Sequence, residues 1–233
     1  MIKLFKNIRK KLATENKALG YMRYAIGEIV LVVIGILIAL QINNWNNHKN
    51  EYNQLQKDLL TIKENLHSDD KSISNHIAQG HNLIAYWGEI LNQKDSVQYE
   101  YFINTLMGPG MQVGNTGYVS ALNNNSLNLV KNDSLKQNII GYYEEDFQKI
   151  KSMESKMYDV GITIREKIMT ETFSSKTPEE FSRAIKQMFQ HEVFKRIFRD
   201  YYQAAEYLTQ LYNKRKKLLT KIIYEIDKET IQN

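Results

Sequence analysis

Histidine and acidic side chains, the residues that could bind a metal ion here, are scattered along the chain. The five histidines are His48, His67, His76, His81 and His191. His76 and His81 are five residues apart, whereas two ligands on one helical face are three or four residues apart. His67 and Asp70 have a suitable separation but lack further ligands, and the sequence has no pair of the Glu-x-x-His motifs found in di-iron bundles. We therefore predict no metal site.

Residues suited to covalent or acid–base catalysis form no local pattern either. The chain has no cysteine, which excludes thiolate catalysis, disulfide bonds and cysteine-ligated zinc. The acidic clusters at residues 144–146 and 179–180 are typical of solvated helix faces. A site assembled from distant residues stays an open alternative. We predict no catalytic residue, no cofactor and no enzymatic activity.

Two further features could form a ligand site. Residues 108–117 hold four glycines and a proline but lack the Gly-Lys-Ser/Thr ending of a phosphate-binding loop, so we predict a connection between helices. The chain also has 15 tyrosines, and we interpret most of them as packing residues, with an aromatic-lined pocket as the alternative. Tyrosines expected at core-facing positions are Tyr142, Tyr143, Tyr201, Tyr202, Tyr207 and Tyr212.

The elements that position these residues begin with an apolar segment near the N-terminus. Residues 29–40 are all apolar, and their flanks extend the segment to residues 24–45, close to the roughly 20 residues that span a bilayer. Tyr21, Tyr24 and Trp45 fit the aromatic belts at the two interfaces. A buried core helix and a cleaved signal peptide are alternatives, but the long basic lead and the missing A-x-A pattern disfavour cleavage. We predict an uncleaved transmembrane anchor at residues 21–45.

The positive charge of the chain is concentrated before this segment. Residues 1–27 contain seven basic side chains and one acidic side chain, a net charge of +6, whereas the whole chain has +5. The other 206 residues therefore carry −1, which argues against a nucleic-acid partner. The same asymmetry predicts that the N-terminus stays in the cytoplasm and that the C-terminal part is exported.

Residues 1–20 are predicted to be a cytoplasmic amphipathic segment lying on the anionic inner leaflet. Ile2, Leu4, Phe5, Ile8 and Leu12 share one helical face. The side chains expected to contact lipid headgroups are Lys3, Lys6, Arg9, Lys10 and Lys11.

Within the anchor, three residues are candidates for helix–helix contact. Gly35 and Ala39 have the small-xxx-small spacing that lets two helices approach closely. Glu28 lies near the cytoplasmic edge, where it is interpreted as an interfacial carboxylate that snorkels towards water. The alternatives for Glu28 are an inter-subunit hydrogen bond and an ion-relay group.

Residues 46–233 are predicted to form an extended antiparallel helical bundle, so the whole chain is expected to be all-α. An apolar register begins at Leu55, Leu59, Ile62 and Leu66 and continues to residue 91, with polar interruptions at Asp69 and Gly80. These interruptions favour a bundle over a strict coiled coil. Further helices are expected at about 97–107, 118–130, 133–173, 178–190 and from there to about 228, with caps at Asn132 and Thr177. The basic cluster at residues 214–217 is expected to be solvated or to touch lipid headgroups.

Several stretches of the chain resemble a known family. Residues 24–45 read YAIGEIVLVVIGILIALQINNW, after IRKKL at 8–12 and ENK at 15–17, and residues 127–136 read LNLVKNDSLK, followed by Tyr142 and Tyr143. This set resembles a large uncharacterised family of single-pass membrane proteins of Gram-negative bacteria, although Asn stands at 123–125 where many members have Ser-Gly or Ser-Ser-Gly. The resemblance implies an inner-membrane anchor with a periplasmic helical domain, and it carries no known activity or substrate.

Together these features predict a membrane-anchored periplasmic scaffold or interaction module. It is expected to be non-enzymatic, to associate with itself and to contact the lipid bilayer and other envelope proteins. The alternative is a ligand-sensing bundle that acts through a partner membrane protein, with its pocket formed by residues 108–117 and nearby aromatic side chains. An enzyme with a site assembled from distant residues is the third hypothesis.

Overall fold

The computed structural model describes residues 18–92, 99–106, 108, 110–172 and 177–231. The chain divides into two compact units, Met1–Asn53 and Gln54–Asn233. The described residues form helices, turns and loops with no strand, so the predicted all-α fold is confirmed. Residues 1–17 of the predicted amphipathic segment, with its lysines and arginine at 3–11, lie outside the described residues, whereas residues 18–20 belong to the first described helix.

The helices follow one another closely along the described ranges. They are α1 Ala18–Leu91, α2 Tyr99–Thr105, α3 Thr116–Asn123, a 3-10 helix Ser126–Leu129, α4 Asp133–Ile140, a π-helical segment Gly141–Asp146, α5 Phe147–Thr172, α6 Pro178–Met188 and α7 Glu192–Ile231.

In the first unit, the described residues belong to α1. This part of α1 is the one described stretch long and apolar enough to cross a membrane, with a mean hydropathy of 2.6 over 18 residues, none of which is buried. The predicted limits of the anchor, residues 21 and 45, both lie inside α1, so no break in the helix marks either of them.

In the second unit, the last part of α1 packs antiparallel to α7. Lys63 near the start of this part pairs with Asp227, whereas the indole of Trp87 near its end lies 4.8 Å from the Tyr201 ring. Residue numbers therefore fall along α7 as they rise along α1. The predicted antiparallel arrangement holds for this pair of helices.

Helix α5 also runs antiparallel to α7. Asp146, just before α5, lies 3.5 Å from Lys214, and Lys167 near the end of α5 lies over the Phe194 ring. Because α1 and α5 each run antiparallel to α7, they are parallel to each other. Among the described helices, these three long ones enclose the core, and the shorter helices pack around them.

The core follows the predicted apolar register closely in α1. Leu55, Leu59, Ile62, Leu66 and Ile73 are all fully buried. Burying an aliphatic side chain contributes about 1.5–3 kcal/mol, which makes this row a main source of stability.

The buried face of α7 includes Tyr212, as expected for this tyrosine, and continues through Leu219. The neighbouring Leu211 and Leu218 are only partly covered. Arg215 lies on the same face between Tyr212 and Leu219, and it is fully buried.

Local sequence signals explain where the shorter helices begin. The side chain of Asn132 accepts a hydrogen bond from the backbone N–H of Leu135, and Thr177 forms a full capping box with Glu180, as predicted. Gly117 lets α3 approach the backbone of α1, because a Cβ there would lie 2.5 Å from the Ile62 nitrogen.

Candidate functional site

Three carboxylates lie in the interior of the second unit. Asp58 and Asp69 of α1 are 2 % and 3 % exposed, and Glu154 of α5 is 6 % exposed. A buried carboxylate is tolerated when protein donors replace its lost water, so its partners indicate its role.

Asp58 fastens α3 and the 3-10 helix to α1. Its Oδ1 accepts hydrogen bonds from Ser120 Oγ at 2.7 Å and Gln54 Nε2 at 3.0 Å. Its Oδ2 accepts from Ser126 Oγ at 2.6 Å and Asn124 Nδ2 at 3.4 Å. Burial raises the pKa of Asp58, but these four hydrogen bonds together outweigh burial and hold the pKa below its ordinary value. The ionised carboxylate is therefore a structural acceptor.

Asp69 fixes the end of the glycine-rich connection. Its Oδ1 accepts from the backbone N–H of Gly114 at 3.1 Å, and its Oδ2 accepts from Tyr142 Oη at 2.8 Å. Burial raises the pKa of Asp69 above its ordinary value, and the Gly114 and Tyr142 hydrogen bonds and the charge of Arg215 oppose burial only in part.

Arg215 lies beside this group and is fully buried. Its guanidinium carbon is 3.6 Å from the centre of the Tyr142 ring, and its Nη1 donates to the Tyr142 carbonyl at 2.7 Å. Tyr142 belongs to the π-helical segment, a type of irregularity that is frequent at functional sites. Arg215 Nε, Arg215 Nη2 and Tyr143 Oη are buried without a hydrogen-bond partner among the described residues.

Glu154 of α5 likewise accepts hydrogen bonds that hold a connection between helices in place. Its Oε1 accepts from the backbone N–H of Met111 at 2.9 Å and from Tyr212 Oη at 2.7 Å. Its Oε2 lies 3.2 Å from Lys151 Nζ, which is partly exposed. Asp69 and Glu154 therefore hold residues 111–114 against two different helices.

A cavity of about 380 Å³ opens between α1, α2, α5 and α7. This volume lies within the range of about 300–1,000 Å³ that is usual for small-molecule sites. The residues that line it are His76, Gln79, Gly80, Asn82, Leu83, Tyr101, Asn104, Thr105, Gly108, Met157, Ala205, Leu208, Thr209 and Tyr212.

The cavity wall is polar in places but contains no Lys, Arg, Asp or Glu among its described residues. Thr105 Oγ1 donates to the Phe102 carbonyl and accepts from Trp87 Nε1, so its hydroxyl is already used. His76 Nδ1 is 2.7 Å from the Ser72 carbonyl and donates to it, so this ring nitrogen is already used. The wall can therefore offer neutral hydrogen-bonding groups beside an apolar surface.

The residues predicted for the anchor lie along one helix. Gly35 and Ala39 are exposed, Glu28 is half-exposed, and Trp45 is 65 % exposed with Lys49 Nζ 5.6 Å from its ring centre. Tyr21 and Tyr24 lie in the same helix. A shallow groove runs over Ala25, Glu28, Ile29, Val32 and Val33.

Four of the six tyrosines expected in the core are buried. Tyr142, Tyr143, Tyr201 and Tyr212 are buried as expected, whereas Tyr202 is only partly covered and Tyr207 is half-exposed. The described residues contain no group of three or more His, Asp or Glu side chains that could hold a metal ion.

Sequence reasoning missed the buried charges. Asp69 was expected to interrupt the core face and Arg215 to lie in a solvated basic cluster, but both are buried. The signal that could have identified Asp69 is its place on the apolar register of α1. Arg215 gives a weaker signal, because it stands between two exposed lysines, Lys214 and Lys217.

A scan against models of protein families, a search of curated proteins and a search of solved structures each returned no match.

Proposed function

We propose that this chain is a membrane-anchored helical interaction module without catalytic activity, with its N-terminus in the cytoplasm and its C-terminal body in the periplasm of a bacterial inner membrane. The observation that carries the proposal is an inverted pattern of burial in α1. The most apolar stretch of this helix is bare, whereas Asp58 and Asp69 of the same helix are buried. A lipid bilayer is the surrounding that favours a bare apolar helix.

The buried carboxylates support the non-enzymatic part of the proposal. Asp58, Asp69 and Glu154 each accept hydrogen bonds from loop or helix-start groups, so their oxygens are engaged in packing. A general acid or base needs an open path to a substrate. These groups are better suited to holding a rigid surface.

Self-association is proposed to use one face of the anchor. Ala25, Glu28, Val32, Gly35 and Ala39 are spaced alternately by three and four residues, so they share one side of α1. A Cβ added at Gly35 would meet nothing within 4 Å, which leaves a flat site where a second helix can approach. The half-exposed Glu28 would then lie at the same interface as a hydrogen-bonding group.

Disulfide crosslinking in native membranes tests this face, because the chain contains no cysteine of its own. Gly35→Cys and Ala39→Cys should each give a covalent dimer on mild oxidation. Leu37→Cys is the matched control, since residue 37 is about 200° around the helix from residue 35. Equal dimer yield from Leu37→Cys, or no dimer from any variant, would contradict the proposed face.

Partners are tested by crosslinking the full-length protein in native membranes, purifying it and identifying captured proteins by mass spectrometry. Enrichment of one or two envelope proteins above an untagged control is the expected result. Recovery of the bait alone, as a discrete oligomer, would contradict the proposed binding of other envelope proteins and leave only self-association.

A second candidate function is ligand sensing through a partner membrane protein. The observation that favours it is the cavity, which is lined by Gly108 of the glycine-rich connection and by Tyr101 and Tyr212. It lies between α1 and α7, so a bound ligand could alter the packing of two long helices. Thermal unfolding of the full-length protein with candidate metabolites separates this function from a passive scaffold.

A further inference from the structure

Beside the cavity between α1, α2, α5 and α7, helices α1 and α7 approach each other closely. Gly80 of α1 lies so close to Thr209 of α7 that an added Cβ would clash with the Thr209 hydroxyl. Ala205, one turn from Thr209, also lines the cavity and is buried. Gly80 and Thr209 therefore mark a closed edge of the cavity.

The floor of the cavity is apolar. Met157, Ala205 and Leu208 are almost completely buried, and they line it together with the partly covered Leu83. Tyr212 is also buried, and its hydroxyl donates to Glu154, so its polar atom is already paired. A ligand would therefore meet hydrocarbon and ring surface in the deep part of the cavity.

The exposed part of the wall is rich in amides. Gln79, Asn82 and Asn104 are exposed, and their side chains make no hydrogen bond within the described ranges of the chain. Each amide offers two N–H donors and one carbonyl acceptor. Thr209 Oγ1 already donates to the Ala205 carbonyl, which leaves this oxygen as an acceptor.

The described wall contains no Lys, Arg, Asp or Glu, which restricts the ligand. A phosphate, carboxylate or ammonium group entering this space would lose water without meeting an opposite charge, which is costly. A neutral polar group loses less and can be compensated by the amides.

We infer that the cavity binds an uncharged amphipathic small molecule, with its apolar body against Met157, Ala205 and Leu208 and its neutral polar edge at Gln79, Asn82 and Asn104. This inference rests on the ligand-sensing candidate proposed above and specifies its ligand class. It is independent of the anchor face tested by crosslinking at residue 35.

The test uses single cysteines in the full-length protein in native membranes. Ala205→Cys places a thiol in the cavity with a small change of volume. Ala121→Cys is the matched control, because Ala121 is also fully buried but does not line the cavity. Leu83→Cys, on the opposite wall, repeats the measurement in case the first variant misfolds.

The first readout is the rate of thiol modification, corrected for the reactivity of each reagent with a free thiol. Uncharged benzyl methanethiosulfonate should modify Cys at 205 about tenfold or more faster than the anionic sulfonatoethyl reagent. Cys at 121 should remain unmodified by either. Equal inertness of the cysteines at 205 and 121 would show that the cavity admits no ligand and would overturn the inference.

The second readout is protection by a matched pair of probes. N-phenylnaphthylamine is uncharged, and anilinonaphthalene sulfonate has the same skeleton with an added anionic group. The uncharged probe should slow modification at 205, and the sulfonate should not. Protection by both probes alike, or by neither, would overturn the proposed ligand class, whereas a dimer from Gly35→Cys would still support the interaction module.

Discussion

Residues 18–53 and residues 54–91 belong to one helix, α1, but have opposite patterns of burial. In the first stretch Ile29, Leu37 and Trp45 are all more than half exposed. In the second stretch the apolar row is buried together with two carboxylates, Asp58 and Asp69. The sequence of one helix therefore differs along its length in the surroundings that it suits.

The proposed lipid surroundings of the first stretch would account for this difference. In lipid an apolar side chain gains little from packing on another, because hydrocarbon tails are equally apolar. In water the same side chain is stabilised by burial at about 25 cal/mol for each Å² removed from solvent. A carboxylate in the packed stretch therefore needs hydrogen-bond donors from the protein. Asp58 accepts such bonds from two serines and two side-chain amides.

The largest expected effect comes from removing a buried carboxylate of the packed stretch. Asp69→Ala leaves the Tyr142 hydroxyl and the Gly114 N–H without their acceptor and Arg215 without a nearby negative charge. We expect a loss of about 3–5 kcal/mol in the free energy of unfolding.

The matched control is Asp70→Ala, because Asp70 is the adjacent carboxylate but is 40 % exposed and lies 3.6 Å from Lys216. Its expected effect is within about 0.5 kcal/mol. Denaturant unfolding in nanodiscs measures both variants in a Trp45→Phe background, where the buried Trp87 is the remaining tryptophan. Similar losses for the two variants would contradict the structural role of Asp69.

A second pair compares the two stretches of α1 directly. Leu66→Ala should destabilise the second unit by about 2–5 kcal/mol, because Leu66 is fully buried. Ile34→Ala removes a side chain that is 49 % exposed and should leave the unfolding of that unit unchanged within about 0.5 kcal/mol. Denaturant unfolding followed by Trp87 fluorescence measures both variants. A clear loss of stability for Ile34→Ala would mean that this side chain packs on protein.

The two buried carboxylates of α1, Asp58 and Asp69, should change the stability of the protein in opposite directions as the pH changes. The pKa of Asp58 lies below its ordinary value of 3.8, so its ionised form contributes stability that is lost as the pH falls below about 3.8. The pKa of Asp69 lies above 3.8, so the folded state holds its proton more tightly and loses stability as the pH rises through and above 3.8.

Two neutral substitutions test this opposition. The destabilisation caused by Asp58→Asn should shrink as the pH falls below about 3.8. The destabilisation caused by Asp69→Asn should instead shrink as the pH rises above this value. Unfolding free energies from pH 3 to 7 provide the measurement, and parallel trends for the two variants would refute the assignment.

The smallest expected effect is at the ion pair between α1 and α7. Lys63 and Asp227 are both partly exposed, and such pairs typically contribute about 0.2–1 kcal/mol. A double-mutant cycle with Lys63→Ala and Asp227→Ala should give a coupling energy in this range. A coupling above about 2 kcal/mol would mean that charge, rather than apolar packing, holds α7 to α1.

Much of the helical architecture could be predicted because it depends on local signals. The apolar spacing from Leu55 to Ile73 specifies the helix that contains it. The capping residues Asn132 and Thr177 each bond to a backbone N–H three residues away. The apolar stretch near the N-terminus was equally clear. Its assignment to a membrane, the orientation and the family resemblance stay predictions.

The interior polar groups could not be predicted because their partners are far away in sequence. Tyr142 is 73 residues from Asp69, and Arg215 is 73 residues from Tyr142. Arg215 gives only a weak local signal, because Lys214 and Lys217 beside it are exposed. The π-helical segment Gly141–Asp146 contains Tyr142, which takes part in both of these contacts.

The proposed anchor places the bare stretch of α1 in a membrane and the residues after it on the periplasmic side. The most direct test labels single cysteines with a membrane-impermeant maleimide in intact spheroplasts. Glu64→Cys, on an exposed position of the packed stretch, should label readily, and Ile34→Cys should resist labelling even after lysis. Rapid labelling of residue 34, or labelling of residue 64 only after lysis, would contradict this placement of α1.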